Sequence, residues 1–330
     1  MHGTPRFSWP ARSDPLRHLS IGVLYGGPSA EREVSLQSGE AVAQALSAAG
    51  RDVHRVILDD SFTVSMARSL GIDVAFLALH GEFGEDGRVQ MILEEADIPY
   101  IGSGPDASAV AFDKVLTKRA LEREGVLCPP WTSYERAEWE AGAADDLDLV
   151  PPVVVKPAAN GSSLGVSIVR DSHRLEDAFA LAFQYGDTAL VERYIQGREL
   201  TVPILGDDPL PVLELRLGRE FYDYDAKYED DQTQILCPAE LPPEITARAQ
   251  ATALATHLAL GCRDVSRADM ILDPQGLCWV LETNTLPGLT SHSLLPRAAL
   301  AVGLSFTGLC EFLLCRALER SRQERRAVNR

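Results

Sequence analysis

Apolar and polar positions along this chain follow two different periods. "LSIGVLYGG" (Leu19–Gly27) is an unbroken apolar run closed by two glycines, the pattern of a buried strand. "SLQSGEAVAQALSAAG" spaces its apolar residues at helical intervals and stops at Gly50, which predicts an amphipathic helix. "DVHRVIL" and "VAFLALHG" are strand-like again. Strand, helix, strand in that order predicts a parallel sheet with crossover helices. Ligands of such sheets bind beyond the carboxyl ends of the strands. Gly26, Gly27, Ser29, Glu31, His80 and Gly81 fall at those ends.

Further along, a helix belongs to the region of "IPYIGSGPDASAVAFDKVLTKRALEREG", followed by the stiff turn "CPPW". "EAGAADDLDLVPP" has the composition of an exposed loop. A central unit then holds a hairpin, the helix "SHRLEDAFALAFQY" and the strand "ALVERYI". The last part opens near "GRELTVPILG" and mixes strands with one long helix, "PPEITARAQATALATHLALG". No repeat or low-complexity segment interrupts this order. The layout is that of three α/β units with a cleft between them.

The hairpin is "VVVKPAANGSSLGVSIV", Val153 to Val169. Lys156 comes before the glycines, and "GVSIV" after them reads as a strand. A P-loop has the opposite order and runs into a helix. A strand–loop–strand element lacks a helix N-terminus to offer to phosphate. It can instead fold its backbone N–H groups and hydroxyls over a nucleotide as a flap. An ordinary surface hairpin with a small-residue turn has the same composition.

Composition narrows the partners. The formal net charge is −17, which disfavours nonspecific binding to nucleic acid or to an anionic membrane. No apolar run approaches the roughly 18 residues that span a bilayer, and "MHGTPRFSWPARSDPLRH" lacks the apolar core of a secretory signal. Residues 1–18 are expected to be a disordered extension. The six cysteines form no CxxC pair or metal spacing, the usage of a cytoplasmic protein with reduced, buried thiols. The basic tail "RALERSRQERRAVNR" reads as a solvated, fraying end.

Chemistry concentrates in two C-terminal strands. Asp269 lies in "SRADMILD", and Glu282 and Asn284 lie in "WVLETNT". A two-residue period puts Glu282 and Asn284 on one face. Two carboxylates and an amide oxygen are hard ligands suited to Mg²⁺, and three such side chains suffice to bridge two ions. A Glu inside the apolar frame "WVLETN" favours a metal over a merely polar strand edge. Arg267 shares the period of Asp269. It can either stabilise a developing oxyanion or form a structural salt bridge to Asp269.

With these segments in hand, the chain resembles the D-alanine–D-alanine ligases of the ATP-grasp superfamily. The resemblance runs from about Leu19 to Leu318. It is carried by "LYGGPSAEREVSLQSG", "LALHGEFGEDGRVQMILEEADIPYIGSGPDASAVAFDKVLTK", "VVVKPAANGSSLGVSIV", "FYDYDAKY" with "CPAEL", "SRADMILD" and "LETNTLPGLTSHSLLPRAA", in family order. It implies an α/β fold, with α+β character in the ATP-binding units, of three-unit ATP-grasp architecture with an N-terminal parallel-sheet domain. The expected division is a disordered extension (1–18), an N-terminal α/β substrate-binding domain (19–101), a central ATP-grasp domain with the phosphate flap (102–195) and a C-terminal ATP-grasp domain with the metal and substrate sites (196–330).

The resemblance also implies roles. Lys114, Lys156 and Lys227 would hold ATP phosphates, and Glu192 and Glu199 adenine and ribose. Asp269, Glu282 and Asn284 would bind two Mg²⁺, or Mn²⁺. Glu31 would pair with the ammonium of the first D-alanine, with His80 nearby. Ser293 and Leu294 would receive the carboxylate of the second. Arg267 and the Gly288 N–H would stabilise the oxyanion. Tyr228, in the closing loop "DYDAKYEDD", would hydrogen-bond Ser162 and so reach Glu31. The family often has Lys where this chain has Arg193, and some relatives have Glu at Asn160. The implied activity is ATP-dependent joining of two D-alanines through an acyl phosphate, for peptidoglycan synthesis, by a cytoplasmic homodimer. The rivals are a ligase using D-serine or D-lactate as acceptor, a catalytically inactive nucleotide-binding relative and a non-enzymatic binding protein. Tyr228 weighs against D-lactate. Arg267, Asp269 and Glu282 weigh against loss of catalysis, and the oxygen-ligand cluster and paired lysines against a mere binder.

Overall fold

A computed structural model of the chain describes residues 14–141, 149–216, 234–290 and 293–328. Its first unit has strands β1 (Ser20–Gly26), β2 (Asp52–Leu58) and β3 (Val74–Ala78), with helices α1 (Arg32–Ala48), α2 (Val64–Ser69) and α3 (Arg88–Glu95) between and after them. The sheet order is β2-β1-β3 and both pairings are parallel. This is the arrangement expected from the strand–helix–strand pattern. β1 and β3 are buried on both faces, which is why they read as continuous apolar runs. Helix α1 begins at Arg32, before the start of its quoted apolar pattern. Its Ser35 hydroxyl accepts from the Gly26 N–H and donates to the Ala78 carbonyl, tying the ends of β1 and β3 together.

Two helices, α4 (Pro105–Phe112) and α5 (Lys114–Arg123), stand where the sequence marked one helical region. Asp113 separates them because its extended backbone ends α4 while its carboxylate caps α5 at the Val115 and Leu116 N–H groups. The second sheet holds β4 (Trp131–Glu135), β5 (Val153–Pro157), β6 (Ser167–Val169) and β7 (Thr188–Arg193) in the order β4-β7-β5-β6. β5 and β6 pair antiparallel, so the quoted segment is a hairpin. Helices α6 (Arg136–Glu140) and α7 (Leu175–Ala182) accompany this sheet, and the core under it is aromatic, with Trp139 stacked on Phe179.

The third sheet is antiparallel. It takes β8 (Arg198–Leu205), β9 (Asp208–Pro209), β10 (Leu213–Arg216), β11 (Gln234–Leu236), β12 (Val265–Leu272) and β13 (Cys278–Asn284), with β12 between β8 and β13. Helix α8 (Pro243–Ala259) packs on it, with Pro in the first turn and Gly261 just beyond the end. Helices α9 (Leu294–Ala301) and α10 (Phe306–Val328) close the chain.

Both ends depart from expectation. Residues 14–18 are not loose: Leu16 is buried in the largest core and Asp14 pairs with Arg51. The C-terminal tail does not fray after Leu318, because α10 runs on to Val328. Leu309, Leu313 and Ala317, with Cys310, Leu314 and Leu318, make its buried stripe. Burying each such leucine contributes about 1.5–3 kcal/mol. That stripe packs against α1 and β3, so the last helix completes the core of the first sheet. Arg320 then pairs with the buried Asp264, and Arg325 with Asp97. All six cysteines are free thiols and five are buried. Among the described residues no single helix is long and apolar enough to cross a membrane.

Candidate active site

The ends of β1 and β3 and the flap meet first. Glu31 lies at the entrance to α1, where its N–H donates to Ser29 Oγ, whose hydroxyl donates to the His80 carbonyl. The Ser162 hydroxyl of the flap donates to the Glu31 carboxylate. The flap approaches so closely that a Cβ on Gly161 would stand 2.4 Å from Glu31 Oε2. On the other side, a Cβ on Gly81 would stand 2.8 Å from the same oxygen, and Gly81 has a φ of +68°. A side chain at Gly81 would also be strained by its left-handed backbone, and one at Gly161 would push the Glu31 carboxylate aside. Ser162 and Ser163 both have left-handed φ values, +54° and +55°. Such a conformation costs about 1–3 kcal/mol per residue, and the bond to Glu31 helps to hold it.

His80 is buried among donors and acceptors. Its Nδ1 is 3.1 Å from the Leu286 carbonyl, which can only accept, so Nδ1 carries the proton. Nε2 then accepts from Ser38 Oγ at 3.0 Å. Burial holds the imidazole below its ordinary pKa, against the pull of nearby Glu31, so the ring is neutral. Glu85 was not marked by the sequence reading. Its carboxylate accepts from the Gly81 N–H at 2.8 Å and the Leu286 N–H at 3.2 Å, bridging the loop after β3 to the turn after β13. Burial and the charge of Glu31 push its pKa up to about 7.

The second group lies on β12 and β13. Asp269 faces Glu282, and Arg267 faces Asn284, across the ladder. Arg267 donates twice to Asp269, at 2.9 and 2.7 Å, so the salt bridge anticipated as one alternative is present. Thr201 on β8 also donates to Asp269, and Asn284 Nδ2 donates to it at 3.0 Å. With its nitrogen so engaged, the Asn284 amide keeps its oxygen for an acceptor role. Lys114 Nζ is 3.3 Å from Glu282 and donates to the Asn160 carbonyl at 2.7 Å, joining α5 to the flap. Among the described residues no three His, Cys, Asp or Glu side chains form a metal cluster. Two carboxylates and one amide oxygen fit an ion that takes its remaining ligands from water and phosphate, as Mg²⁺ does.

A third group lies behind the flap. Lys156 Nζ is 2.6 Å from Glu192, whose other oxygen contacts Lys118. Lys118 also escaped the sequence reading, although it stands one helical turn after Lys114, a spacing that puts both on one side of α5. Arg193, in the position where Lys is frequent, stacks over Trp279. Finally, Ser293 opens α9 and is followed by Leu294. Its Oγ accepts from the Thr290 N–H at 3.0 Å, and a Cβ on Gly288 would stand 2.8 Å from it. Lys227 and Tyr228 lie outside the described residues.

Two cavities bring some of these groups together, whereas His80, Glu85, Ser162, Asn284, Gly288 and Ser293 line neither. One, of about 530 Å³, is lined by Lys114, Lys156, Glu192, Glu199, Arg267, Asp269, Glu282 and Leu294, with apolar walls from Val154, Ile168, Ile271 and Leu281. The other, of about 610 Å³, is lined by Ser29, Glu31 and Gly81. Asn160, Gly161 and Leu164 line both, so the flap is a wall common to the two.

The D-ala D-ala ligase C-terminus family matches residues 120–315, and the D-ala D-ala ligase N-terminus family matches residues 62–103. A curated D-alanine–D-alanine ligase of Anaeromyxobacter sp. (strain Fw109-5) is 45% identical over 294 residues, 89% of this chain and 95% of that protein. The D-alanine–D-alanine ligase from Bacillus anthracis superposes with a TM-score of 0.82 at 36% identity, covering 93% of this chain and 99% of that one. Its structure complexed with ATP gives 0.80 at 33%, over 93% and 99%. The VanG D-Ala:D-Ser ligase from Enterococcus faecalis gives 0.81 at 32%, over 91% and 99%. The fold is therefore the ATP-grasp architecture, three α/β units with a parallel sheet in the first. The chain belongs to the D-alanine–D-alanine ligase family.

Proposed function

We propose that the protein joins two molecules of D-alanine, with ATP consumed to ADP and phosphate. The carboxylate of the first D-alanine takes the terminal phosphoryl group and becomes an acyl phosphate. The amine of the second then attacks that carbonyl and phosphate leaves. The dipeptide product serves peptidoglycan precursor synthesis, and so cell wall biogenesis and cell shape, in the cytoplasm. One observation supports this reading: a single flap lines both a cavity that holds Glu31 and a cavity that combines lysines, the carboxylates Asp269 and Glu282, and apolar walls. An amino acid beside Glu31 and a nucleotide beside the lysines can both contact the flap and meet at its edge, where the carboxylate reaches the terminal phosphate.

Each residue then has a task. Glu31, steadied by Ser162, binds the ammonium of the first D-alanine. Neutral His80 packs beside it without adding charge. Lys114 and Lys156 take nucleotide phosphates, and Lys227 joins them from the closing loop. Glu192 and Glu199 hold adenine and ribose, with Val154, Ile168 and Ile271 against the base. The Ser293 hydroxyl and the Leu294 N–H receive the carboxylate of the second D-alanine. Arg267 and the Gly288 N–H stabilise the tetrahedral oxyanion. Tyr228 links the closing loop to Ser162. Asp269, Glu282 and Asn284 would hold two Mg²⁺, or Mn²⁺, which when bound neutralise phosphate oxygens. Closure of the loop keeps water from the acyl phosphate. The working division is 19–101 for the first amino acid, 102–195 for the flap and nucleotide, and 196–330 for metal and second amino acid, in a homodimer.

Phosphate release with ATP and Mg²⁺ tests the reading against a panel of D-alanine, D-serine, D-lactate and L-alanine. D-Alanine should drive release and yield the dipeptide. Preferential incorporation of D-serine at the second position would reassign the acceptor, since a D-Ala:D-Ser ligase shares this fold. Release indifferent to every amino acid would sink the proposal.

A further inference from the structure

Lys118 has no task in the reaction just described, yet its position is highly constrained. Its side chain is fully buried on α5, and its partner is Glu192, itself 2% exposed. Lys156 holds the other Glu192 oxygen. Lys156 and Glu192 line the 530 Å³ cavity and Lys118 does not. The two ammonium groups therefore approach one carboxylate from opposite sides, one facing the cavity and one behind its wall. Burial pushes the Glu192 carboxyl up, but Lys118 and Lys156 outweigh it and hold it below the usual carboxylate range. Burial draws the Lys118 ammonium down, and Glu192 opposes that.

A buried carboxylate flanked by two ammonium groups carries one surplus positive charge. Only the ammonium that faces the cavity can be surrendered to a ligand. We propose that Lys118 is a positioning residue that keeps Glu192 charge-compensated, so that Lys156 can exchange Glu192 for a phosphate oxygen of the nucleotide. The proposal rests on the nucleotide reading of this cavity. Without Lys118, drawing Lys156 onto phosphate would strand a buried, unpaired carboxylate, which a low-dielectric interior strongly penalises. That penalty falls on phosphate binding, which draws Lys156 away, and not on binding of the base, which leaves the Lys156–Glu192 pair in place.

The measurable quantity is the preference for ATP over adenosine, the ratio of their dissociation constants measured by calorimetry. Lys118→Met should reduce that preference by about tenfold, the scale of one charge-assisted contact, with adenosine affinity unchanged. A purely structural role would instead weaken ATP and adenosine together, and that result, or an unchanged preference, overturns the proposal. A second comparison decides the matter should Lys118→Met fail to fold. Glu192→Gln and Lys118→Met/Glu192→Gln should show equal preferences, because Lys118 acts only through the Glu192 charge. A tenfold difference between them would overturn it. Wild-type protein with no preference for ATP over adenosine is a separate outcome: it removes the nucleotide reading itself, and the proposal with it.

Discussion

The Ser162 hydroxyl donates to the Glu31 carboxylate, joining the flap to the first strand–helix turn 131 residues earlier. This bond ties the flap to a residue that lines the second cavity. It also sets Glu31 where an ammonium group can meet it.

Ser162→Ala removes that link and leaves the flap backbone. The lost bond to a charged group is worth about 1.5–3 kcal/mol, so kcat/KM for D-alanine should fall roughly ten- to a hundredfold. Thermal stability should fall as well, because the same bond helps to hold the left-handed flap serines. Steady-state phosphate release with a melting curve on the same sample is the check. Unaltered kcat/KM would mean that Ser162 does not position Glu31.

Glu282→Gln keeps shape and removes one charge from the strand pair that carries Asp269. Turnover should fall roughly a hundred- to a thousandfold, the scale of about 3–4 kcal/mol seen when a charge-stabilising group is removed, and extra Mg²⁺ should not restore it. Lys114 loses its 3.3 Å partner but keeps the Asn160 carbonyl, so the fold should survive. Near-normal turnover at saturating Mg²⁺ would remove Glu282 from the mechanism.

Glu85 gives a pH signature. Its pKa rises from 4.5 to about 7 in the folded chain, so the folded state binds more protons between those values. Its contribution to stability is present below pH 4.5 and is lost as pH rises towards 7, roughly 3 kcal/mol for a shift of that size. His80 and His257 act in the opposite direction, since burial lowers both and their stabilisation is lost as pH falls below 6.5. The difference between wild type and Glu85→Gln isolates the carboxyl. Urea unfolding from pH 4.5 to 8 should show that difference declining up to about pH 7 and flat beyond. A difference independent of pH would refute the shift.

Arg320 and Asp264 couple the last helix to the strand ends. Asp264 is 3% exposed and also accepts from the Gly102 N–H at 3.0 Å. Arg320→Met leaves Asp264 only Arg316 at 4.0 Å and the Gly102 N–H, and should destabilise by up to about 3 kcal/mol, the lower end of the range for breaking a buried pair. Arg320→Met/Asp264→Asn should recover part of the loss. Urea midpoints of the two variants provide the measurement, and a loss below the error of the fit would make the pair dispensable.

Most strands were legible because their ends are chemically marked. β2 spans the quoted "DVHRVIL", with Gly50 before it and Asp59 after. α8 was legible from its Pro start and glycine stop. What escaped depends on distant partners. Lys118 and Glu85 look like ordinary polar residues until α5 meets β7 and the loop after β3 meets Leu286. The basic tail looked solvated because Asp264, which anchors Arg320, is 56 residues away in sequence. Asp269, Glu282 and Asn284 could be singled out because they stand in apolar strand frames, where hard oxygen groups stand out, and the ladder sets Asp269 opposite Glu282. Arg267 was readable as well, but its choice between Asp269 and a reaction intermediate depends on what occupies the site.

Because α10 packs on α1 and β3, segments far apart in the sequence share one core. The first sheet therefore borrows part of its cover from a helix that its own stretch of sequence does not contain. A chain cut short near residue 305 should expose that sheet although every one of its own strands is present. Limited proteolysis of the shortened and full chains would show this as lost protection of residues 20–100, and equal protection in the two would argue that the first unit folds alone.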